Sequence, residues 1–478
     1  MPSELAYLAA YLKAHGHAVD VVDAFGEAPM FVRKAQNQFI QGLSSDEVAE
    51  RIPQDTEAIG LYAHLTVSHS VSLEIIRKLR GRFSSLPIMV LENTSKVNGY
   101  SLRRAYQDFF AAGADYAVLG FLEKRTTALL QALLEKSRVF PALDGVIRRD
   151  CPDDFCPPLD DDVNLDELPF PQWDLFPIEN YWKIGYAHAP LTEKKYLPLI
   201  TSRGCLFNCG FCVAPEINGR KWKARSAENV VDEISYFKHR FGVSEFHIED
   251  LNPTLDKQRM IRISRILIER KLDIKWKIAQ GTKLETLDEE SIGWMVKAGC
   301  NYISISPESG SDEVLKLMDK PVNIEYARKM VRSMAGRGIY SQACFVIGYP
   351  GETKADLSKT TALVKKLASD GIDEIALFII TPMPGAKIYS QFGDRQVRLD
   401  QLTFSPKWRQ DYCFLSRYRF FIYLQYIRVK ICRYPFRALG YLWSLATGRY
   451  RTKVEMTIAR KLKVIFWSLT SKFIKDKK

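Results

Sequence analysis

Hydrophobic and polar residues follow two different periods along most of the chain. Residues 4–15 carry apolar side chains at helical spacing and are rich in alanine, which predicts a helix. Short apolar runs then predict strands, and amphipathic runs between them predict helices. The strands predicted in this first part are 17–23, 58–64, 86–91 and 115–119, and the helices between them are 68–82, 101–112 and 122–136. Strands that alternate with helices favour a parallel α/β sheet.

A second alternating region follows a stretch of different composition. Residues 146–195 are rich in proline and acidic residues, which predicts a linker. The strands predicted after it are 197–202, 244–249, 273–279, 301–306, 342–348 and 373–380, and the helices are 226–240, 256–270, 288–298, 323–337 and 354–369. Six strand–helix units favour a partial (β/α)6 barrel, related to the eight-fold barrels whose active residues lie at the carboxyl ends of the strands. The expected organisation is an α/β domain at 1–145, a linker at 146–195, a barrel at 196–392 and a helical region at 393–478.

Composition narrows the functional classes. The chain has 478 residues, of which 46% are hydrophobic, enough for two or three domains with sizeable cores. Its nine cysteines show no regular pairing, which is typical of a reduced compartment where thiols bind metals. The first residues lack a basic segment followed by a long apolar run, and no segment reaches the roughly 18 apolar residues of a spanning helix. We therefore expect a cytoplasmic protein.

Positive charge is concentrated in the tail, which we define as residues 401–478. The net charge of the chain is +12, and the tail alone holds 18 Lys and Arg against three acidic residues. Residues 1–400 are therefore slightly acidic, and we expect no nucleic acid as a partner. The tail interleaves basic and aromatic residues, as in 417–430, which favours helices lying peripherally on the inner, anionic face of a membrane. A helical cap packed on the barrel and RNA binding by the tail are the alternative interpretations.

The strongest chemical motif directly follows the first predicted barrel strand. Cys205, Cys209 and Cys212 lie on one short segment with the spacing C-x3-C-x2-C. Iron–sulfur clusters are held by cysteine thiolates, usually four, so three would leave one iron of a 4Fe-4S cluster open to a ligand. A structural zinc site and three unrelated thiols are the alternatives, but zinc needs a fourth ligand and no further cysteine or histidine follows before His239. We predict a 4Fe-4S cluster held by these three residues.

This segment, with Phe211 before the last cysteine, resembles the signature of the radical S-adenosylmethionine (radical SAM) enzymes. The resemblance implies that the open iron chelates S-adenosylmethionine and that one electron cleaves it to a 5′-deoxyadenosyl radical, which abstracts hydrogen from a substrate. It also implies an electron donor such as flavodoxin or ferredoxin. The protein would supply position and exclude water, whereas the cofactors supply the chemistry.

Further motifs at predicted strand ends match the order expected in this family. The carboxylates of Glu249 and Asp250 end the second strand, where the family contacts the amino group of S-adenosylmethionine. Ser306 and Glu308 end the fourth strand, within a segment that matches the family's Glu-Ser-Gly, and Glu308 would accept ribose hydroxyls. Gly348 ends the fifth strand and would allow close passage of the cofactor. Each motif is weak alone, but together and in this order they are specific.

The first part resembles the cobalamin-binding Rossmann-like domain that precedes the barrel in one large radical SAM subgroup, which includes methyltransferases and Mg-protoporphyrin monomethyl ester cyclases. The helix at 4–15 carries the resemblance. The strand that should precede it is absent, so the expected domain is truncated. Residues 91–96 replace a glycine-rich turn, and no Asp-x-His-x-x-Gly motif occurs, which argues against a histidine ligand to cobalt. The resemblance implies cobalamin as a further cofactor.

The resulting prediction is a radical SAM enzyme that transfers a methyl group to an unactivated centre with the help of cobalamin. A radical ring-forming or oxidative enzyme acting on a tetrapyrrole or lipid, with a vestigial cobalamin domain, is one alternative. A membrane-associated iron–sulfur sensor is another. A methylthiotransferase would carry three more cysteines in its first domain, whereas residues 1–150 contain none. The sequence does not choose the substrate, which is expected to be a small molecule, a lipid or a tetrapyrrole.

Overall fold

The computed structural model contains two larger sheets, a mixed four-stranded one and an all-parallel six-stranded one. It describes residues 1–35, 38–97, 99–135, 143–152, 163–392, 397–403, 405–435, 443–444 and 447–475. The predicted α/β fold class is confirmed. Part of the predicted linker, 153–162, lies outside the described residues.

The N-terminal sheet has the strand order β3-β4-β5-β6. The elements up to its last strand are α1 Ser3–Ala14, α2 Ala24–Glu27, β1 Val32–Ala35, β2 Gln38–Gln41, α3 Ser45–Glu50, β3 Ile59–Ala63, α4 His69–Arg82, β4 Ile88–Glu92, α5 Tyr106–Ala112, β5 Tyr116–Val118, α6 Leu122–Leu134 and β6 Val146–Arg148. Strands β3, β4 and β5 pair in parallel, and β6 pairs antiparallel with β5. β1 and β2 form a separate hairpin.

Two predictions about this region are wrong. Residues 17–23 form no strand, because their backbone does not pair with a described strand, although Val19 and Val21 pack against the cores as strand residues would. The predicted linker is also partly regular. Val146–Arg148 completes the N-terminal sheet, and Ile178–Ile184 forms helix α7. Proline and acidic residues therefore obscured two short elements that packing stabilises.

The second sheet contains the predicted barrel strands, all parallel, in the order β7-β10-β11-β12-β13-β14. The elements of this part of the chain, in which β8 and β9 pair as a separate hairpin, are β7 Tyr196–Leu199, β8 Ser202–Gly204, α8 Ala214–Asn218, β9 Trp222–Ala224, α9 Ala227–Phe241, β10 Glu245–Ile248, α10 Lys257–Glu269, β11 Lys275–Thr282, α11 Glu289–Lys297, β12 Cys300–Glu308, α12 Asp312–Leu317, α13 Ile324–Gly336, β13 Tyr340–Ile347, α14 Lys354–Asp370 and β14 Glu374–Ile379. The sheet is open, because β7 and β14 form its two edges.

Local sequence signals explain where the outer helices begin. The side chains of Ser226, Asp256, Asp288 and Thr353 each accept a hydrogen bond from the first turn of the helix that follows. Such caps satisfy backbone N–H groups that have no partner within the helix. The strands between these helices are almost entirely buried, as expected for a parallel sheet covered by helices. Capped helices thus alternate with buried strands, and the carboxyl ends of those strands share one edge.

Buried polar contacts hold the carboxyl edge of the N-terminal sheet against the mouth of the barrel. Arg203, next to the cysteine loop, donates to both carboxylate oxygens of Glu123 at 2.9 and 2.7 Å. The amide of Gln280 donates to the backbone oxygen of Ser95 at 2.7 Å. Lys96 forms an ion pair with Glu249. These contacts bring the two strand edges together around one interior space.

The tail contains two long helices, α15 Tyr412–Arg433 and α16 Lys453–Lys475. One face of α15 packs on the barrel, where Lys430 donates to the backbone oxygen of Ile372 at 2.8 Å. Its outer face exposes a row of large apolar side chains: Phe420, Phe421, Leu424, Ile427 and Ile431. Within the described residues, no helix is both long and apolar enough to cross a bilayer.

Candidate active site

The three-cysteine loop follows β8 and lies near the carboxyl end of β7. Gly204 begins the loop with φ of +82°, and a β-carbon there would collide with the backbone oxygen of Lys221. Gly210 fixes the middle of the loop, because its N–H donates to Met318 at 2.8 Å and its oxygen accepts from Ile388 at 2.9 Å. The loop is thereby held between α12 and the segment after β14.

The thiols of Cys205, Cys209 and Cys212 are all partly buried, and none forms a disulfide. Burial raises the pKa of all three thiols, that of Cys212 to about 12, and the ammonium of Lys320 opposes this in each case. Metal ligation requires thiolates, so a bound metal would have to displace these protons. Among the described residues, no three His, Cys, Asp or Glu side chains converge on a position for a single metal ion. The cluster assignment stays a prediction.

Glu308 lies beside this loop at the end of β12. Its φ of +62° is in the left-handed region, which costs energy for a residue with a side chain. Its carboxylate accepts a hydrogen bond from Lys320 at 2.6 Å, and both side chains are buried. The Lys320 ammonium also lies 5.8 Å from the centre of the Phe211 ring. Lys320 therefore connects Glu308 with the cysteine loop.

Asp250 and Glu249 have different surroundings despite being neighbours. Asp250 accepts hydrogen bonds from Thr201 N at 2.8 Å and from the hydroxyls of Thr201 and Ser202 at 2.6 Å each. It therefore anchors the backbone that leads into the cysteine loop. Glu249 instead pairs with Lys96, and its other oxygen lies 3.9 Å from Nδ1 of His188. Although burial raises the pKa of Glu249, the ammonium groups of Lys96 and of the chain's N-terminus lower it to about 2, so Glu249 is ionised.

The remaining predicted site residues are Ser306 and Gly348. Ser306 is buried near the end of β12, in such close contact with Gly281 that a β-carbon on Gly281 would collide with its hydroxyl. Gly348 has φ of +77°, and the space at its missing side chain is filled by Leu415 of α15. Arg409 donates to the Gly348 backbone oxygen at 2.9 Å. The close approach at Gly348 is thus to the tail, and the predicted role of Gly348 beside the cofactor stays a prediction.

Five ionisable side chains lie near one another where the barrel meets the N-terminal sheet: His188, Lys453, Cys344, Lys96 and Glu249. We call this region the chamber. The side chain of His188 is 38% exposed. Burial, followed by Lys453 and Lys96, lowers the pKa of His188 well below its usual value, so its ring is neutral. The chamber is therefore lined by polar and ionisable side chains.

Sequence reasoning missed Lys96, Lys320 and Lys453. Lys96 and Lys453 lie 153 and 174 residues from the groups that they contact, Glu249 and Ala279, and Lys320 lies 12 residues after Glu308, beyond the helix α12. Lys320 follows α12 in an ordinary turn, and Lys453 begins a basic helix in which it looks like any other lysine. Only the fold brings them to the site.

Residues 199–364, which contain the cysteine loop, Glu249, Glu308 and Gly348, match the family model described as the radical SAM superfamily. This chain carries a radical SAM domain. The resemblance of the cysteine segment to the radical SAM family is thereby confirmed. The role of each individual residue within the radical SAM domain remains a prediction.

Known relatives extend the similarity beyond the radical SAM domain. A methyltransferase of Pyrococcus horikoshii described as uncharacterized is 31% identical over 226 residues, which are 47% of this chain and 46% of that protein. Cytidylyl-2-hydroxyethylphosphonate methyltransferase of Streptomyces wedmorensis is 25% identical over 437 residues, covering 84% of this chain and 80% of that protein. The chain thus spans about half of the first relative and most of the second.

The same fold occurs in a solved structure of the radical S-adenosylmethionine methyltransferase TsrM from Kitasatospora setae, which holds cobalamin and a 4Fe-4S cluster. The TM-score is 0.64 at 18% identity, and the match covers 82% of this chain and 71% of TsrM. At this identity the similarity establishes the fold alone. It confirms the predicted arrangement of an N-terminal α/β sheet before a radical SAM barrel.

Proposed function

We propose that this chain binds a 4Fe-4S cluster through Cys205, Cys209 and Cys212 and cleaves S-adenosylmethionine reductively. The observation that carries the proposal is the three-cysteine loop beside the buried pair of Glu308 and Lys320, inside the radical SAM match. A cluster bound by the loop would supply the electron that splits the sulfonium and yields a 5′-deoxyadenosyl radical. The test is anaerobic reconstitution, for which we expect about four irons per chain. Unchanged iron in a triple Cys→Ala variant would contradict the assignment.

The chain's own residues would bind and orient S-adenosylmethionine. Glu308 would accept hydrogen bonds from its ribose hydroxyls, and Lys320 would hold that carboxylate in place. Glu249 would accept a hydrogen bond from the amino group of S-adenosylmethionine, which would replace Lys96, since a carboxylate can pair with either ammonium. Asp250 would act by holding the backbone of Thr201 in place. Ser306 would line the end of β12, the strand that also carries Glu308. The electron would come from a flavodoxin or ferredoxin.

We further propose that the N-terminal sheet binds cobalamin at its carboxyl edge, which would supply methyl transfer to a substrate carbon or phosphorus. Ligands of open α/β sheets bind beyond this edge, and here the edge faces the barrel mouth. One side chain at this edge, that of His64, is placed to contact a bound cobalamin. Nδ1 of His64 is buried without a hydrogen-bond partner among the described residues, and burial, then Lys96, lowers the pKa of His64 to about 3. The cobalamin held by TsrM and the methyltransferase names of the relatives support this proposal.

The cobalamin proposal is tested by spectroscopy of protein purified with hydroxocobalamin. Because the chain lacks the Asp-x-His-x-x-Gly motif, we expect a bound corrin whose paramagnetic resonance shows no nitrogen hyperfine structure from a protein histidine. His64→Ala should leave that spectrum unchanged. Nitrogen hyperfine structure that is present in the wild type and lost in His64→Ala would show that His64 is a ligand to cobalt, and would overturn this expectation. No retained corrin, with S-adenosylmethionine cleavage intact, would favour a ring-forming or oxidative radical enzyme with a vestigial first domain.

For the tail, we propose peripheral contact with the anionic inner face of a membrane in an otherwise cytoplasmic protein. The support is the outer face of α15, where Phe420, Leu424 and Ile431 are exposed on a helix that also carries arginines. Basic residues near an anionic surface and buried apolar side chains both favour such binding. The inner face of α15 packs on the barrel, so the helix can serve both as a cap and as a contact surface.

A further inference from the structure

The start of α16 covers the end of the barrel at which its strands begin. The N–H of Tyr450 donates to the oxygen of Leu191 at 2.6 Å, and the N–H groups of Lys453 and Val454 donate to the carboxylate of Glu374 at 2.9 and 3.0 Å. Glu374 is the first residue of β14, so these bonds fix α16 at the amino end of the barrel strands. The side chain of Lys453 then extends into the barrel.

The Lys453 ammonium is held among groups that do not neutralise it. Its Nζ donates to the backbone oxygen of Ala279 at 2.7 Å and lies 5.8 Å from the centre of the Tyr302 ring. An ammonium has three donors, and this oxygen is its one acceptor among the described residues. No carboxylate of the described chain lies within ion-pair distance of it.

The nearby carboxylates are engaged elsewhere. Glu374 accepts from the backbone of α16 and from the Tyr302 hydroxyl at 2.7 Å. Glu249, across the chamber, is paired with Lys96. Burial lowers the pKa of Lys453, and Cys344, Glu374 and Glu249 only partly oppose this. A partly buried ammonium with one backbone acceptor and no paired anion among the described residues favours a ligand that brings the anion.

We propose that Lys453 is a specificity residue that binds an anionic group, a carboxylate or a phosphonate-type group, of the substrate in the chamber. His188 would donate a second hydrogen bond, because its side chain is partly exposed and lies close enough to Lys453 for the two groups to interact electrostatically. The inference rests on the proposed function, since it treats the chamber as the substrate site of the radical SAM domain. It adds a substrate class, a small molecule with an anionic end that lies toward α16.

The test is calorimetry on cluster-loaded protein with S-adenosylmethionine, using methylphosphonate, acetate and the neutral dimethyl sulfone as probes. We expect one of the anions to bind more tightly than the sulfone, and Lys453→Met to weaken its binding about 10- to 150-fold, the range for a hydrogen bond to a charged group. Lys463→Met is the matched control, because Lys463 lies on the same helix and donates to the backbone oxygen of Ile184 at 3.1 Å, outside the chamber. It should bind like the wild type.

A second measurement needs no variant. Acetic anhydride labelling followed by mass spectrometry should show that the anion which binds protects Lys453 in the wild type but leaves Lys463 equally reactive. Equal affinity for anions and sulfone, or equal labelling of Lys453 with and without the anion, would overturn the proposal. Cleavage of S-adenosylmethionine is measured on the same sample. Cleavage without anion binding contradicts this inference alone, and anion binding without cleavage contradicts the proposed function alone.

Discussion

Arg203 and Glu123 form a buried, two-pronged ion pair between the cysteine loop and the N-terminal sheet. Both carboxylate oxygens accept from the guanidinium, at 2.9 and 2.7 Å, and the two side chains are 5% and 2% exposed. Arg203 lies two residues before Cys205. The pair therefore couples the position of the cysteine loop to the sheet that faces it.

Removing one partner of this pair should destabilise the protein. Glu123→Gln leaves the Arg203 charge buried without a counter-ion, which typically costs about 3–5 kcal/mol in the free energy of unfolding. Chemical denaturation measures it. Asp174→Asn, which breaks the exposed pair with Arg240, is the control and should have a much smaller effect. Equal effects of the two substitutions would show that the Arg203–Glu123 pair does not stabilise the domain contact.

Glu308 and Lys320 should act together in binding S-adenosylmethionine. Glu308→Ala should weaken binding by roughly 1.5–3 kcal/mol, the range for hydrogen bonds to charged groups. Lys320→Met should also weaken it, because the carboxylate then loses its partner. Calorimetry of both variants and of the double variant measures the coupling. Glu313→Ala, an exposed acid after the same strand, is the control. If Glu308→Ala binds as tightly as the control, Glu308 does not belong to the site.

Glu92 should make stability pH-dependent. Burial raises its pKa to about 7, although N–H groups of Gly120 and Leu102 at 2.7 Å each oppose the shift. The folded state therefore binds the proton more tightly than the unfolded state, and the protonated group favours folding below about pH 4.5. This contribution, about 3 kcal/mol, is lost as the pH rises from about 4.5 to about 7.

The comparison that tests this is the unfolding free energy of the wild type and Glu92→Gln at pH 5 and pH 7.5. The wild type should lose more stability between these values than the variant, because Gln does not titrate. Other titrating groups, such as Glu352, cancel in the difference. Parallel pH profiles for the two proteins would contradict the raised pKa.

The outer face of α15 should determine membrane affinity. Replacing Phe420, Leu424 and Ile431 together with serine removes exposed apolar surface and leaves the barrel-packing face unchanged. We expect less flotation with anionic liposomes, and weaker flotation of the wild type at high salt, since salt screens the basic residues. Tyr423→Phe is the control, because its hydroxyl accepts from Leu377 N on the packed side. Equal flotation of all three proteins would leave α15 as a barrel cap only.

Much of the fold could be predicted because its signals are local. Apolar runs such as 244–249 and capped helices such as the one after Ser226 carry their structure in neighbouring residues. The segment 17–23 has a strand pattern but no partner strand, and pairing is a property of the whole chain. The cysteine loop was recognisable because its ligands are close in sequence. Lys320 and Lys453 were not, because only tertiary contacts bring them to Glu308 and to the chamber.

The central claim is that the three-cysteine loop supports radical cleavage of S-adenosylmethionine. The most direct measurement is 5′-deoxyadenosine formed by reconstituted, reduced protein under anaerobic conditions, followed by mass spectrometry. We expect the wild type and Cys413→Ala, which removes an exposed thiol of the tail, to form it. The triple variant of Cys205, Cys209 and Cys212 should form none. A wild type that holds about four irons per chain and still releases no 5′-deoxyadenosine would contradict the account.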